Sequence, residues 1–470
     1  MNFDKLYRIL LLILVSFSAS SQGVFKLSGE VQNPTERRVL ITLYRDWVGD
    51  EEEYEIALDA SNRFSFEANL STDIAYIDFY YAEEGFHYWM IQPNDQIELK
   101  IDNKDFWKSL NVSGNGSTKW NYYLKQKKEF EDSRDFVKEL ISWRKLAKSA
   151  FFRKIDGEQN EQFYFLEKFK DLDANFVEVR KADIVGSLQN YKVEYLSTDE
   201  FKEQSETQTR NELNIPKLSD EAKAKSLEFG NMQVNLLDLF VIKASEKKKK
   251  DPIISDYYNT LKAMHLQGDL PRELTERLMA FKLKIHADFP EEEGIAYALM
   301  QDFDAFAQNR DFKNYINKRS SLLKNLAKGS VAKSFTAKDI NGKEVSLKDF
   351  KGKVVYIDFW ASWCGPCIYD IKQMVKVKER FKDNKNVVFI YVSLDKEEEW
   401  REAVFNNNVE GINLRVDENS SFARNYGVRA VPTYFLIDKN GYFAVSRVAD
   451  PSEEDGEALI KQIEETLQKK

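Results

Sequence analysis

The chain has 470 residues, 43% of them hydrophobic and 13% aromatic, which supplies several buried cores and excludes an intrinsically disordered protein. Its 69 Lys+Arg against 78 Asp+Glu give a net charge of −9 spread along the chain, which argues against nucleic acid as a partner. The two cysteines stand together as one C-x-x-C, so a disulfide-stapled scaffold is excluded and dithiol/disulfide exchange becomes the simplest use of the thiols.

In chain order, Lys5 and Arg8 precede the apolar run Ile9 to Val15 and the small residues Ser16 to Ser21. That is the order of a cleaved secretory signal over residues 1–21, and the run is well short of the ~20 residues that span a bilayer. No cysteine lies beside the cleavage-site residues, so a lipid-anchored terminus is not expected there.

From residue 22 to 115 apolar positions alternate: Phe25, Leu27, Gly29, Val31; Phe64, Phe66, Ala68, Leu70; Ile77, Phe79, Tyr81; Ile97, Leu99, Ile101. Period-two spacing predicts an antiparallel β-sandwich or barrel, whose aromatics, including Trp47, Tyr80, Tyr88 and Trp89, read as core and edge packing. Residues 116–326 predict helices. Phe136, Leu140, Trp143, Ala147 and Phe151 step at helical spacing, as do Phe165, Phe169, Leu172, Phe176 and Val179, with breaks at Pro216, Asp251-Pro252, Gly268 to Pro271 and Phe289-Pro290. His87, His265 and His286 lack neighbours at metal-ligand spacing, and the lysines 247–250 read as a solvated helix end.

Residues 327–470 alternate strands and helices: an Asn341-Gly342 hairpin turn, strand 354–359, a helix from the C-x-x-C to about Lys382, strand 387–394, a helix near 397–405, strand 412–416, a short helix 420–426, strand 433–438, strand 442–448 and a terminal helix from Glu453. The expected fold class is therefore multidomain: an N-terminal antiparallel β domain, a central all-α region and a C-terminal α/β domain.

The chemistry gathers where strand 354–359 gives way to a helix. Cys364 falls at the helix N-terminus, where unsatisfied N–H groups and a partial positive charge favour a thiolate, and Cys367 lies one turn along, shielded and able to resolve a mixed disulfide. Gly365 admits close backbone approach, and Pro366 suits a first helical turn because its missing N–H would have no partner there. Asp358, in an otherwise apolar strand, has two readings: a buried acid that takes the Cys367 proton, or a strand-end carboxylate satisfied by backbone donors. Val431-Pro432 closes a loop before a strand and, by itself, reads as an ordinary turn proline.

Taken together, the segment Asp358 to Cys367 resembles the thioredoxin active site, and Ala430-Val431-Pro432-Thr433 resembles its proline loop. The additional strands before Val354 and the insertion from Asp395 to Asn413 resemble the exported TlpA/ResA-like branch, over about Ser330 to Lys470. The resemblance implies a thioredoxin fold, Cys364 and Cys367 as the redox pair, Asp358 as the buried proton acceptor, and Pro432 as a cis-proline. It also implies that the Val431 backbone is a docking edge and Trp363 a surface that meets the partner. No cofactor beyond the redox-active disulfide and no metal are implied. The implied partners are a disulfide-bearing protein and a membrane electron donor, in the periplasm, with cytochrome c maturation one family role. Two departures stand out: Val448-Ala449-Asp450 occupies the place of a usual glycine, and the usual lysine partner of the buried aspartate is not identifiable.

Three functions follow from these residues. The first is a thiol–disulfide oxidoreductase, with the Gly-Pro dipeptide resembling that of reducing members. The second is a thioredoxin-fold peroxidase or redox sensor. In the third, the N-terminal residues grip a partner and the thiol pair is incidental.

Overall fold

The computed structural model describes residues 23–45, 51–133, 135–198, 201, 204–287, 292–417 and 420–469. The expected signal segment 1–21, Trp47 and the Phe289-Pro290 break lie outside them. The chain divides into two compact units: the first runs to Pro252 and includes Asp256–Phe281, and the second is Ile253–Ser255 with Lys282–Lys470.

Among the described residues the first unit has eight strands: β1 (Gly23–Gln32), β2 (Arg38–Tyr44), β3 (Glu52–Ala57), β4 (Arg63–Leu70), β5 (Ala75–Tyr81), β6 (Glu84–Ile91), β7 (Gln96–Asp102) and β8 (Asn111–Asn115). They form two four-stranded sheets, ordered β4-β1-β7-β8 and β3-β2-β5-β6. Along β4 exposure and burial alternate at every residue, as a strand with one face in the core requires. One pairing departs from the antiparallel expectation: β1 runs antiparallel to β4 but parallel to β7. Burial alternates identically in either direction, so periodicity carries no information about it.

The helical region differs from its sequence reading in continuity. The expected rhythm from Phe136 to Phe151 is two helices, Phe136–Trp143 and Lys148–Leu166, and that from Phe165 to Val179 crosses a turn before helix Ala174–Leu196. Asp173 starts the latter by accepting the Phe176 N–H. The aromatic spacing survives the turn because Phe165, Phe169 and Phe176 all gather around Tyr122.

The second unit contains the helices Glu293–Phe306 and Arg310–Leu326 and then a six-stranded sheet. Its strands are β9 (Thr336–Asp339), β10 (Glu344–Ser346), β11 (Val354–Trp360), β12 (Val387–Ser393), β13 (Ile412–Arg415) and β14 (Thr433–Ile437), ordered β10-β9-β13-β12-β11-β14. β11 pairs parallel with β12 and antiparallel with β14, and every β11 residue is buried, the mark of a central strand covered on both faces. The expected strand 442–448 is not a regular strand. Tyr442 and Phe443 form only isolated bridges, to Val331 and Ile437, because the chain there is shared between the 329–332 linker and the end of β14. Among the described residues no helix is long and apolar enough to cross a membrane.

Candidate active site

The site is built by β11, the helix Gly365–Phe381 that follows it, and the loop before β14. Cys364 is the N-cap of that helix: its Sγ accepts the Cys367 backbone N–H at 3.2 Å. Cys364 and Cys367 are joined in a disulfide and both are buried, whereas Gly365 and Pro366 between them are exposed. Trp363, directly before the pair, is 72% exposed, a large apolar surface beside the sulfurs. The Val431–Pro432 peptide bond is cis, and Val431 O lies 3.5 Å from Cys364 Sγ. The structure therefore brings together Trp363, Cys364, Gly365, Pro366, Cys367, Val431 and Pro432.

Asp358 lies on the layer beneath. Side chains alternate along β11, so Tyr356, Asp358 and Trp360 share one face. Tyr356 packs with Met374, Val377 and Phe381 of the active-site helix, and Trp360 with Cys364, Cys367 and Ile371. Asp358 is thus on the face that the helix and the sulfurs cover. It is 1% exposed, and its Oδ1 has no hydrogen-bond partner among the described residues. Burial first, and then the neighbouring Asp370 carboxyl, push its pKa well above the ordinary carboxylate range, while Lys378 opposes that shift. The alternative of a carboxylate satisfied by backbone donors does not describe this buried oxygen.

Three groups around Asp358 escaped the sequence reading. Asp370, one turn beyond Cys367, is buried and accepts the Tyr434 hydroxyl at 2.6 Å. Tyr434 comes from β14, opposite Asp358 in register. Lys378 sits with its Nζ 4.8 Å from the centre of the Tyr391 ring. Its pKa is lowered by burial against the opposing pull of Glu410 and Asp358. Lys378 thus supplies the basic neighbour that sequence could not identify. The spacing Cys367, Asp370, Met374, Lys378 along one helix was a usable signal, since steps of three and four keep residues on one face.

A further carboxylate fixes the turn into the site. Asp395 is 2% exposed and accepts the Ser362 N–H at 2.8 Å, the Ser362 hydroxyl at 2.8 Å and the Ser393 hydroxyl at 2.7 Å. Asp395→Ala leaves these donors without their acceptor, so a lower urea midpoint, equivalent to about 2–3 kcal/mol, is expected in equilibrium unfolding. An unchanged midpoint would show that the network contributes nothing to stability.

A strand-to-helix turn carrying a disulfide at the helix N-cap, facing a cis-proline loop and overlying a buried acid, defines a thioredoxin-like thiol–disulfide oxidoreductase. Residues 329–445 match the model of the AhpC/TSA family. Thiol-disulfide oxidoreductase ResA of Bacillus thuringiensis subsp. konkukian is 35% identical over 145 residues, 30% of this chain and 77% of that protein. Its namesake in Bacillus subtilis is 34% identical over 119 residues, 25% of this chain and 64% of that protein. Among solved structures, the thioredoxin domain of a thiol-disulfide oxidoreductase from Bacteroides vulgatus is 30% identical, with a TM-score of 0.27 over 30% of this chain and 99% of that one. The chain belongs to the ResA family of thiol-disulfide oxidoreductases. Among the described residues no group of three or more His, Cys, Asp or Glu could hold a metal ion.

Proposed function

We propose that the protein is an exported, periplasmic reductase of protein disulfides. The observation that carries the reading is the Cys364 sulfur, capping a helix and lying beside Val431 O. In the reduced protein the Cys364 thiolate, favoured by the Cys367 N–H and the helix N-terminus, attacks one sulfur of a substrate disulfide. The substrate disulfide breaks, a Cys364–substrate disulfide forms, and the other substrate sulfur leaves as a thiolate. Cys367 gives its proton toward Asp358 and attacks Cys364 Sγ, which expels the second substrate thiolate and closes the Cys364–Cys367 disulfide. The substrate gains two electrons, and the protein must regain them from a donor, for which a membrane protein relaying electrons across the bilayer is the fitting partner.

Export is supported by the signal-like order of residues 1–21, and the reducing direction by the Gly365-Pro366 dipeptide. Equilibration with glutathione or dithiothreitol redox buffers tests the direction. The midpoint is expected nearer to thioredoxin's value of about −270 mV than to the about −120 mV of a strong oxidant, and a value at the oxidising end would overturn it.

A further inference from the structure

The loop that ends at the cis peptide bond is held from outside the sheet. Gly427 opens it with φ at 64°, and a Cβ there would stand 2.9 Å from Leu322 Cδ2 and 3.2 Å from Leu326 Cδ1. Helix Arg310–Leu326 therefore lies directly against the loop backbone. Further along, Arg429 donates from Nη2 to the Tyr315 hydroxyl at 3.2 Å. Leu326, Val428 and Val431 pack on the same apolar cluster. Tyr315, Leu322 and Leu326 are seven and four residues apart, the spacing of a single helix face. One stripe of this helix thus touches the loop at Gly427 and Arg429 and shares a cluster with Val431, whose carbonyl lies beside Cys364 Sγ. The helix precedes the segment that matches the family, so this support is an addition to the thioredoxin-like fold.

We infer that helix Arg310–Leu326 is a positioning element for polypeptide substrates. Tyr315 acting on Arg429, with Leu322 and Leu326 acting on Gly427, fixes the Val431 edge on which an extended disulfide-bearing chain docks. The inference rests on the reading of the protein as a protein-disulfide reductase. β14 is an edge strand, and its outer side is engaged near Ile437 by the bridge to Phe443. An extended chain arriving at the Val431 end can therefore add by main-chain pairing. A loop already ordered in the free protein removes part of the ordering cost of that binding. A small disulfide that reaches the sulfur without pairing to the loop gains nothing from it.

The test uses the full chain carrying Tyr315→Phe or Leu322→Ala, with insulin as the polypeptide disulfide and dithiothreitol as the electron source. Tyr315→Phe is the cleaner variant: it keeps the ring, over which Lys284 Nζ lies at 6.0 Å, and removes only the hydroxyl. In each variant KM for insulin is expected to rise about fivefold with kcat within about twofold. The rate at which the pre-reduced protein attacks dithiobis(nitrobenzoate), a small aromatic disulfide, and the reduction potential should stay at wild-type values. An unchanged insulin KM in both variants, with wild type active, overturns the inference and leaves the reductase reading standing. Equal losses on insulin and on the aromatic disulfide also overturn it, because damage then extends beyond docking. A wild-type protein that cannot reduce insulin removes the reading and the inference with it.

Discussion

Cys364→Ser is expected to lower disulfide reduction by more than about a thousandfold, because a serine hydroxyl does not ionise near neutral pH and cannot replace the thiolate as nucleophile. Cys367 does not compensate, being 1% exposed behind Cys364. The reciprocal change has a different signature. Cys367→Ser leaves the attacking sulfur at its helix N-cap but removes the group that resolves the intermediate, so turnover stops after one event with substrate bound to Cys364. Non-reducing gels after incubation with a disulfide-bearing protein distinguish the two: a covalent adduct with Cys367→Ser and none with Cys364→Ser. An adduct with Cys364→Ser and none with Cys367→Ser would mean that the order of the cysteines is wrongly assigned. Full biological function in the double variant would favour a binding protein in which the thiols are incidental. The same argument requires the Cys364 thiol in the reduced protein to titrate below the ordinary ~8.5, which the pH dependence of its alkylation reads directly.

The parts of this site that were legible in sequence are those whose chemistry is local. Trp363 to Cys367 is one strand-to-helix turn, and the capping that activates Cys364 follows from its position directly before its own helix. Val431 and Pro432 were visible only through resemblance, since Cys364 and Val431, 67 positions apart in the chain, are brought together by the pairing of β11 with β14. Asp370 and Lys378 were hidden for a related reason. On an amphipathic helix full of charged residues, an Asp or Lys reads as solvent-facing until the strands that cover it are placed. Tyr434 becomes the partner of Asp370 only through a contact 64 residues apart. In the fold, strand and helix positions followed from periodicity, whereas the parallel β1–β7 pair and the bridges at Tyr442 and Phe443 depend on long-range partners that periodicity does not encode. The packing of helix Arg310–Leu326 on the 427–431 loop belongs to the same class, and composition gave no hint of it.

Asp358→Asn is expected to make the oxidised protein more stable and a poorer enzyme, both effects arising from one buried carboxyl. In the unfolded chain this group ionises near ~3.9, while in the native protein burial and Asp370 hold its pKa well above that value. The native state therefore binds the proton more tightly than the unfolded state, and the stabilising contribution of the protonated acid is complete below the unfolded pKa. As pH rises from there through the raised native pKa that contribution is lost, and at higher pH wild type carries a buried charge whose Oδ1 has no hydrogen-bond partner among the described residues. Asparagine has the same shape and no charge, so the variant's advantage should be small near pH 4 and grow through this window to on the order of 2–4 kcal/mol at alkaline pH. Urea unfolding of both oxidised proteins across that range measures it, and a difference independent of pH would show that Asp358 does not titrate with a raised pKa. Catalysis should move the other way. Without an acceptor for the Cys367 proton, resolution of the mixed disulfide is expected to slow by about 10²-fold, while the first attack by Cys364 stays nearly unchanged. Rapid-mixing kinetics separate the two steps, and resolution at the wild-type rate in Asp358→Asn would move the proton acceptor to another group, of which Asp370, on the helix turn after Cys367, is the first to test.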